Sequence, residues 1–188
     1  MRVISGTAKG RRLSLHSGFE IRPTSDMVKE SVFDIIQFHI EGRRVLDLFA
    51  GTGQLGIEAL SRGAKSAVFV DSKPEAVKLV WGNLKTCGFE DRASVHTRDA
   101  IRYLGEAGTF DLIFLDPPFG SSIAALALQK IIEFDKLNPN GIIIVETKAD
   151  GATPVVSPPY SLQKEYRYGS VKVARYERGA IDEYEDVQ

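Results

Sequence analysis

Residues 110–120 read FDLIFLDPPFG. Leu112 to Leu115 form a short, unbroken apolar run with β-propensity, the pattern of a central strand covered on both faces. The strand has to stop at Asp116, because neither Pro117 nor Pro118 has an N–H to give to a ladder and the chain must leave the sheet on a stiff path. The Asp116 carboxylate, the Pro117 carbonyl and the Phe119 ring are therefore expected near the carboxyl end of the strand. That edge is where open α/β sheets bind ligands.

Working outward, strand and helix patterns alternate from Arg43 to Lys148. Strand-like RRVLDLFA (43–50), SAVFVD (66–71), ASVHTRD (93–99), the 110–116 run and GIIIVETK (141–148) are separated by helix-like QLGIEALSRG (54–63), PEAVKLVWGNLKTCG (74–88), AIRYLGEAG (100–108) and SIAALALQKIIEFDKL (122–137). Such alternation with short connections implies a parallel sheet with helices on both faces. SLQKEYRYGSVKVARYER (161–178) alternates about Gly169 and reads as a closing antiparallel hairpin, with GATPVVSPPYS before it as a loop. Ahead of this core, IRPTSDMVKESVFDIIQFHI (21–40) places Val28, Val32, Ile35 and Ile36 on one helical face, so a helix is expected over 23–41 with Gly42 ending it. RVISGTAKGRRLSL (2–15) reads as two short strands about a glycine-containing turn.

The 188 residues, 43% hydrophobic and 26% charged, suit one globular domain over 1–179: a hairpin extension to residue 22, the helix, and a core over 43–178. No apolar run is long enough to cross a bilayer and the amino terminus has no signal-peptide core, so a cytoplasmic protein is expected. A single cysteine, Cys87, excludes an internal disulfide, and three scattered histidines offer no metal cluster. The formal net charge of -1 hides an asymmetry. The tail 180–188 holds four acids and no base and is expected to fray, which leaves a net +3 on residues 1–179. Arg2, Lys9, Arg11, Arg12 and Arg22 crowd the first 22 residues against Glu20 alone, a candidate nucleic-acid surface whose plain alternative is a solvated hairpin.

VLDLFAGTGQLG (45–56) spaces Gly51, Gly53 and Gly56 as G-x-G-x-x-G, and Asp71 closes the next strand. Glycines let a backbone approach a ligand closely, and an acid at that distance can accept from ribose hydroxyls; on those grounds NAD is a candidate. Asp47 argues for S-adenosylmethionine instead. An acid just before the loop repels a pyrophosphate but suits a ligand carrying an ammonium and a sulfonium, and Asp99, ending the third strand, is placed to read an adenine amine. Gly56 also fits a role in helix packing, and Asp71 and Asp99 fit helix caps.

Next to such a donor, the residues of DPPF suit methylation of an exocyclic amine on a nucleobase. The lone pair of that amine is delocalised into the ring until its hydrogens are drawn towards acceptors. Asp116 and the Pro117 carbonyl supply two, and Phe119 can stack on an extruded base. The alternatives are a DPPF that merely ends a strand, an NAD-dependent oxidoreductase in which DPPF is idle, and a non-catalytic RNA-binding protein that retains the pocket.

DLFAGTG, VD, RDA and DPPF in this order resemble the Rossmann-like S-adenosylmethionine methyltransferases that act on exocyclic amines. SGTAKGRRL, RPTSDMVKESVF and YRYGSVKVARY narrow the resemblance, over residues 2–178, to the RsmD family of bacterial small-subunit rRNA guanine-N2 methyltransferases. The resemblance implies a mostly parallel seven-stranded sheet with an antiparallel last strand and an N-terminal β-hairpin extension. It puts the methionine end of the donor at Asp47, Ala50, Gly51, Thr52 and Gly53, its ribose at Asp71, its adenine at Asp99 and Ala100, and the target amine at Asp116, Pro117, Pro118 and Phe119. Lys9, Arg11, Arg12, Arg22 and Thr24 are the implied RNA-facing residues. A monomer acting without metal on small-subunit rRNA or an assembling ribosomal particle is expected, with DNA or RNA adenine or cytosine amines as the alternative targets. Lys73 stands where the family commonly has an acid.

Overall fold

A computed structural model describes residues 1–15, 26–118 and 122–179 of the chain. Arg22, Thr24, Phe119 and the tail 180–188, singled out above, lie outside the described residues.

Seven strands form one sheet: β1 (Arg44–Asp47), β2 (Ser66–Asp71), β3 (Ala93–Thr97), β4 (Phe110–Leu115), β5 (Leu137–Lys148), β6 (Tyr160–Tyr168) and β7 (Val171–Arg178). Their order is β3-β2-β1-β4-β5-β7-β6; the first five are parallel, and β7 runs antiparallel to both neighbours. The order reverses between β1 and β4, so the carboxyl ends of these two strands border the crevice that such a switch opens. The turn between β6 and β7 pivots on Gly169 at φ 58°.

The central strands are apolar on both faces because each face has a helical layer. Helices α1 (Asp26–Ile35), α2 (Gln54–Ser61) and α3 (Pro74–Cys87) contribute Val32, Phe33, Leu60 and Val80 to one core with Val45, Leu112, Phe114 and Ile144. Helices α4 (Ala100–Glu106) and α5 (Ile123–Glu133) bury Leu104, Leu128 and Ile131 with Leu46, Ile113 and Val145. Alternation along each strand thus sorts its side chains between two cores. Local signals set the helix ends. Pro74 opens α3 and Gly88, left-handed at φ 72°, closes it; the Asp99 side chain caps α4 by accepting from the Arg102 N–H at 3.0 Å.

Several elements differ from the sequence reading: helix α5, expected to reach Leu137, ends at Glu133, and the two strands expected in the amino-terminal arm reduce to one bridge. Helix α1 ends at Ile35, short of Glu41; Ile36 and Ile40 keep a helical spacing but reach the core from the turn that follows. Strand β5 begins at Leu137, ahead of Gly141, and absorbs Pro139 and a left-handed Asn140 through a register shift against β4.

The amino-terminal arm closes through a single antiparallel bridge, Arg2 to Arg12, and packs Val3, Ala8 and Leu13 into the first core. Buried Glu58 of α2 accepts from the Ile4 and Ser5 N–H groups at 2.8 and 2.9 Å and from Arg62 Nε at 2.8 Å. Lys29, fully buried on α1, donates to the Arg2 carbonyl at 2.6 Å and lies 3.9 Å from Glu58. Burial lowers the Lys29 pKa, and the Glu58 charge opposes that. The arm is therefore fastened to the helical layer, while Lys9, Arg11 and Arg12 stay exposed along it.

Candidate active site

A cleft of about 590 Å³ opens at the carboxyl edge of the sheet, within the range of small-molecule sites. Its wall includes Asp47, Ala50, Gly51, Thr52, Asp71, Asp99 and Ala100 together with Asp116, Pro117 and Pro118. Residues read separately from four strand ends are thus brought to one cavity. Gly53 does not line it. Left-handed at φ 77°, it turns the loop into α2, where an added Cβ would sit 3.2 Å from Val80. Gly56 serves packing, since a Cβ there would fall 2.3 Å from the Phe69 ring. The exposed Lys9, Arg11 and Arg12 are not part of this wall.

The three acids around the loop do different jobs. Asp47, only 1% exposed at the end of β1, accepts from the Gly56 N–H through Oδ2 at 3.0 Å and so caps the first turn of α2. Its Oδ1 is buried with no hydrogen-bond partner. Burial raises the Asp47 carboxyl to about 7; the Gly56 bond opposes this, and the nearby charges of Asp116 and Asp71 add to it. Asp71 ties the loop down, accepting from the Gly51 N–H at 2.9 Å with Oδ2 and from the Lys73 N–H at 2.9 Å with Oδ1. Asp99 caps α4 while facing the cleft. The expected cap role is met by Asp99 but not by Asp71, because the N-cap position of α3 falls to Lys73 and Asp71 bonds to the loops on either side instead.

Several residues of the site escaped the sequence reading. Gln54, 6% exposed at the start of α2, lines the cleft with its Oε1 unpartnered. Asn83, fully buried on α3, donates to the Thr52 carbonyl at 2.9 Å and also holds Ser14 of the arm, accepting from its N–H at 2.7 Å. Glu146, 2% exposed on β5, lines an adjoining cavity. Its signal was present: an acid closing the apolar run IIIV, as Asp116 closes LIFL.

The sheet order, the glycine turn at the switch point and the acid-rich cleft define a Rossmann-like methyltransferase. The family described as Conserved hypothetical protein 95 matches residues 1–177, and the chain belongs to this family, that of the RsmD methyltransferases. YlbH of Bacillus subtilis strain 168 is 41% identical over 182 residues, covering 95% of this chain and 99% of its own. Ribosomal RNA small subunit methyltransferase D of Haemophilus influenzae is 36% identical over 183 residues, covering 94% and 93%. The structure of Escherichia coli yhhF matches with a TM-score of 0.87 at 30% identity, covering 96% of this chain and 99% of that one.

The methyl donor of this class is S-adenosylmethionine. The residues present fit it: two buried acceptors without partners, Asp47 Oδ1 and Gln54 Oε1, face a cleft whose wall carries four aspartates and one lysine, a setting for a ligand with an ammonium and a sulfonium. Among the described residues no group of three or more His, Cys, Asp or Glu could hold a metal ion, and no helix is long and apolar enough to cross a membrane.

Proposed function

We propose that the protein methylates the exocyclic 2-amino group of a guanine in small-subunit rRNA, in the cytoplasm, with S-adenosylmethionine as donor. The observation that carries this reading is one cavity shared by Asp116-Pro117-Pro118 and the Asp47-to-Thr52 stretch. Asp47 and the backbone of Ala50 to Thr52 hold the methionine end on a turn set by Gly53, Asp71 holds the ribose, and Asp99 with Ala100 the adenine. Bound there, the donor supplies an electrophilic methyl group on a positively charged sulfur.

The chain's part in the reaction is positional and electrostatic. Asp116 and the Pro117 carbonyl accept from the two amine hydrogens, which turns the nitrogen lone pair out of conjugation and towards the donor. As the N–C bond forms and the S–C bond breaks, positive charge grows on the nitrogen beside the Asp116 carboxylate. The surplus proton then leaves for solvent. Phe119, from its place in the motif, stacks on the extruded base, and Lys9, Arg11, Arg12, Arg22 and Thr24 meet the RNA as a monomer docks on the subunit.

The relatives' name, the cleft and the exposed basic arm support this reading over an oxidoreductase. Incubation with labelled donor and undermethylated small subunits, followed by nucleoside mass analysis, tests it. N2-methylguanosine is expected. N6-methyladenosine or N4-methylcytosine would move the target to another base, and tight NAD binding without methyl transfer would overturn the reading altogether.

A further inference from the structure

A second cavity, of about 350 Å³, shares Pro117 and Pro118 with the first. Glu146 is in its wall. The parallel register ends at Leu115 beside Val145, so Asp116 and Glu146 follow on neighbouring strands, which lie about 4.8 Å apart. Ile142 and Ile144 pack into the same core as Val45, and alternation puts Asp47 and Glu146 on that same side of the sheet. Three neighbouring strands thus deliver Asp47, Asp116 and Glu146 to one edge, and the reaction as described uses only two of them.

The far wall of this cavity is held in place by β7. Lys172, 3% exposed, donates to the Gly151 carbonyl and to Thr153 Oγ1, the latter at 2.7 Å, and the Tyr176 hydroxyl donates to the Pro154 carbonyl at 2.7 Å. The cavity is therefore bounded by the rigid prolines on one side and a pinned loop on the other. It has the character of a preformed site.

We infer that Glu146 is the residue that tells guanine from the other amine-bearing bases; the inference rests on the proposed guanine methylation. Asp116 and the Pro117 carbonyl recognise an amine, which adenine and cytosine also have. What sets guanine apart is the atom next to that amine. Guanine presents N1–H, a second donor, whereas adenine and cytosine present a ring-nitrogen lone pair. A carboxylate beside Asp116 accepts from N1–H and repels the lone pair, so it rejects the wrong bases as well as favouring the right one.

The test uses the full-length protein and the RNA identified by the mass analysis, carrying either guanine or 2-aminopurine at the target position. 2-Aminopurine keeps the 2-amino group but has a lone pair at N1. The wild type should prefer guanine strongly in kcat/KM. In Glu146→Gln the side-chain amide can donate to that lone pair, so the preference should shrink at least about tenfold. Glu146→Ala, which neither accepts nor donates, should shrink it by a smaller factor, and S-adenosylhomocysteine affinity should hold in both. If one variant fails to bind S-adenosylhomocysteine, the other carries the comparison. An unchanged preference in a variant that binds it overturns the Glu146 assignment and leaves guanine methylation standing. A wild-type product other than N2-methylguanosine brings down the underlying reading instead.

Discussion

Asp47 and Gly56 join the end of β1 to the first turn of α2: one carboxylate oxygen accepts the Gly56 N–H at 3.0 Å, and the other is buried without a partner. A single side chain thus holds the fold and keeps one acceptor in reserve at the cleft. Its carboxyl, raised to about 7 chiefly by burial, makes both roles pH-dependent.

The sign follows from which state binds the proton. Unfolded, Asp47 titrates near 3.9, so between roughly pH 4 and 7 the folded free protein holds a proton that the unfolded chain has lost. Asp47 therefore costs stability as pH rises through that window, on the order of 4 kcal/mol, and nothing further above it. A bound ammonium favours the ionised form. Affinity for S-adenosylhomocysteine should climb with pH up to about 7 and then level off, with proton release below 7 visible by calorimetry in buffers of different ionisation enthalpy. Asp47→Asn should melt higher than wild type at pH 8 without ligand, bind the ligand more weakly, and lose the slope below 7. A wild-type affinity flat from pH 5.5 to 8 would contradict the assignment.

Asn83 ties the arm to the donor loop, and its amide orientation is testable. Its Nδ2 donates both to Thr52 O at 2.9 Å and to Ser14 O at 3.2 Å. Asn83→Ala leaves a buried carbonyl unmet, a cost of about 1–3 kcal/mol. Asn83→Asp keeps the shape but turns an acceptor towards two carbonyls, so it should be the less stable variant of the two. Both should weaken S-adenosylhomocysteine binding, because Thr52 belongs to the cleft wall. Thermal melts and calorimetry on the pair decide it: an Asn83→Asp protein as stable as wild type would mean the network carries no weight.

Much of this architecture was legible because its signals are local. The glycine spacing, the acids at strand ends and the Pro-Pro stop each declare themselves within a few residues. What escaped depends on partners far along the chain. Lys29 looks like a surface residue within VKESVF, yet it is fully buried, because Arg2 and Glu58 come to it from other elements. Helix α1 was read too long because Ile36 and Ile40 keep a helical spacing in a segment that has already turned. Pro139 hid the start of β5, where a register shift accommodates it. Asn83 carries no sequence signal at all; its importance exists only once α3 lies against the loop.

The exposed bases of the arm should act through phosphates. Replacing Lys9, Arg11 and Arg12 with glutamine removes three cations from the surface while leaving Val3, Ala8 and Leu13 in the core. RNA affinity should fall, and the slope of log affinity against log salt should flatten by about 2, near 0.7 for each lost contact with single-stranded RNA. S-adenosylhomocysteine affinity should not change. Equal salt slopes for the variant and the wild type would reduce the arm to a structural clamp.

Asp116 separates a catalytic motif from a strand-ending turn. In the proposed reaction its hydrogen bond to the target amine strengthens as the nitrogen becomes tetrahedral, which puts its value mainly in the transition state. Asp116→Ala should lower single-turnover methyl transfer at saturating donor by ~10²- to 10³-fold, with a much smaller effect on RNA binding. Asp116→Asn keeps a carbonyl acceptor and should retain partial activity. Pro117→Ala should fall between wild type and Asp116→Ala, because its carbonyl survives while the backbone that aims it is loosened. Removing the Asp116 charge also withdraws one of the two repulsions acting on Asp47, so Asp116→Ala should bind S-adenosylhomocysteine with its pH plateau shifted below 7. That shift shows that the substitution altered the shared cleft without unfolding it. A well-folded Asp116→Ala protein with near-normal turnover would reduce the motif to the end of a strand.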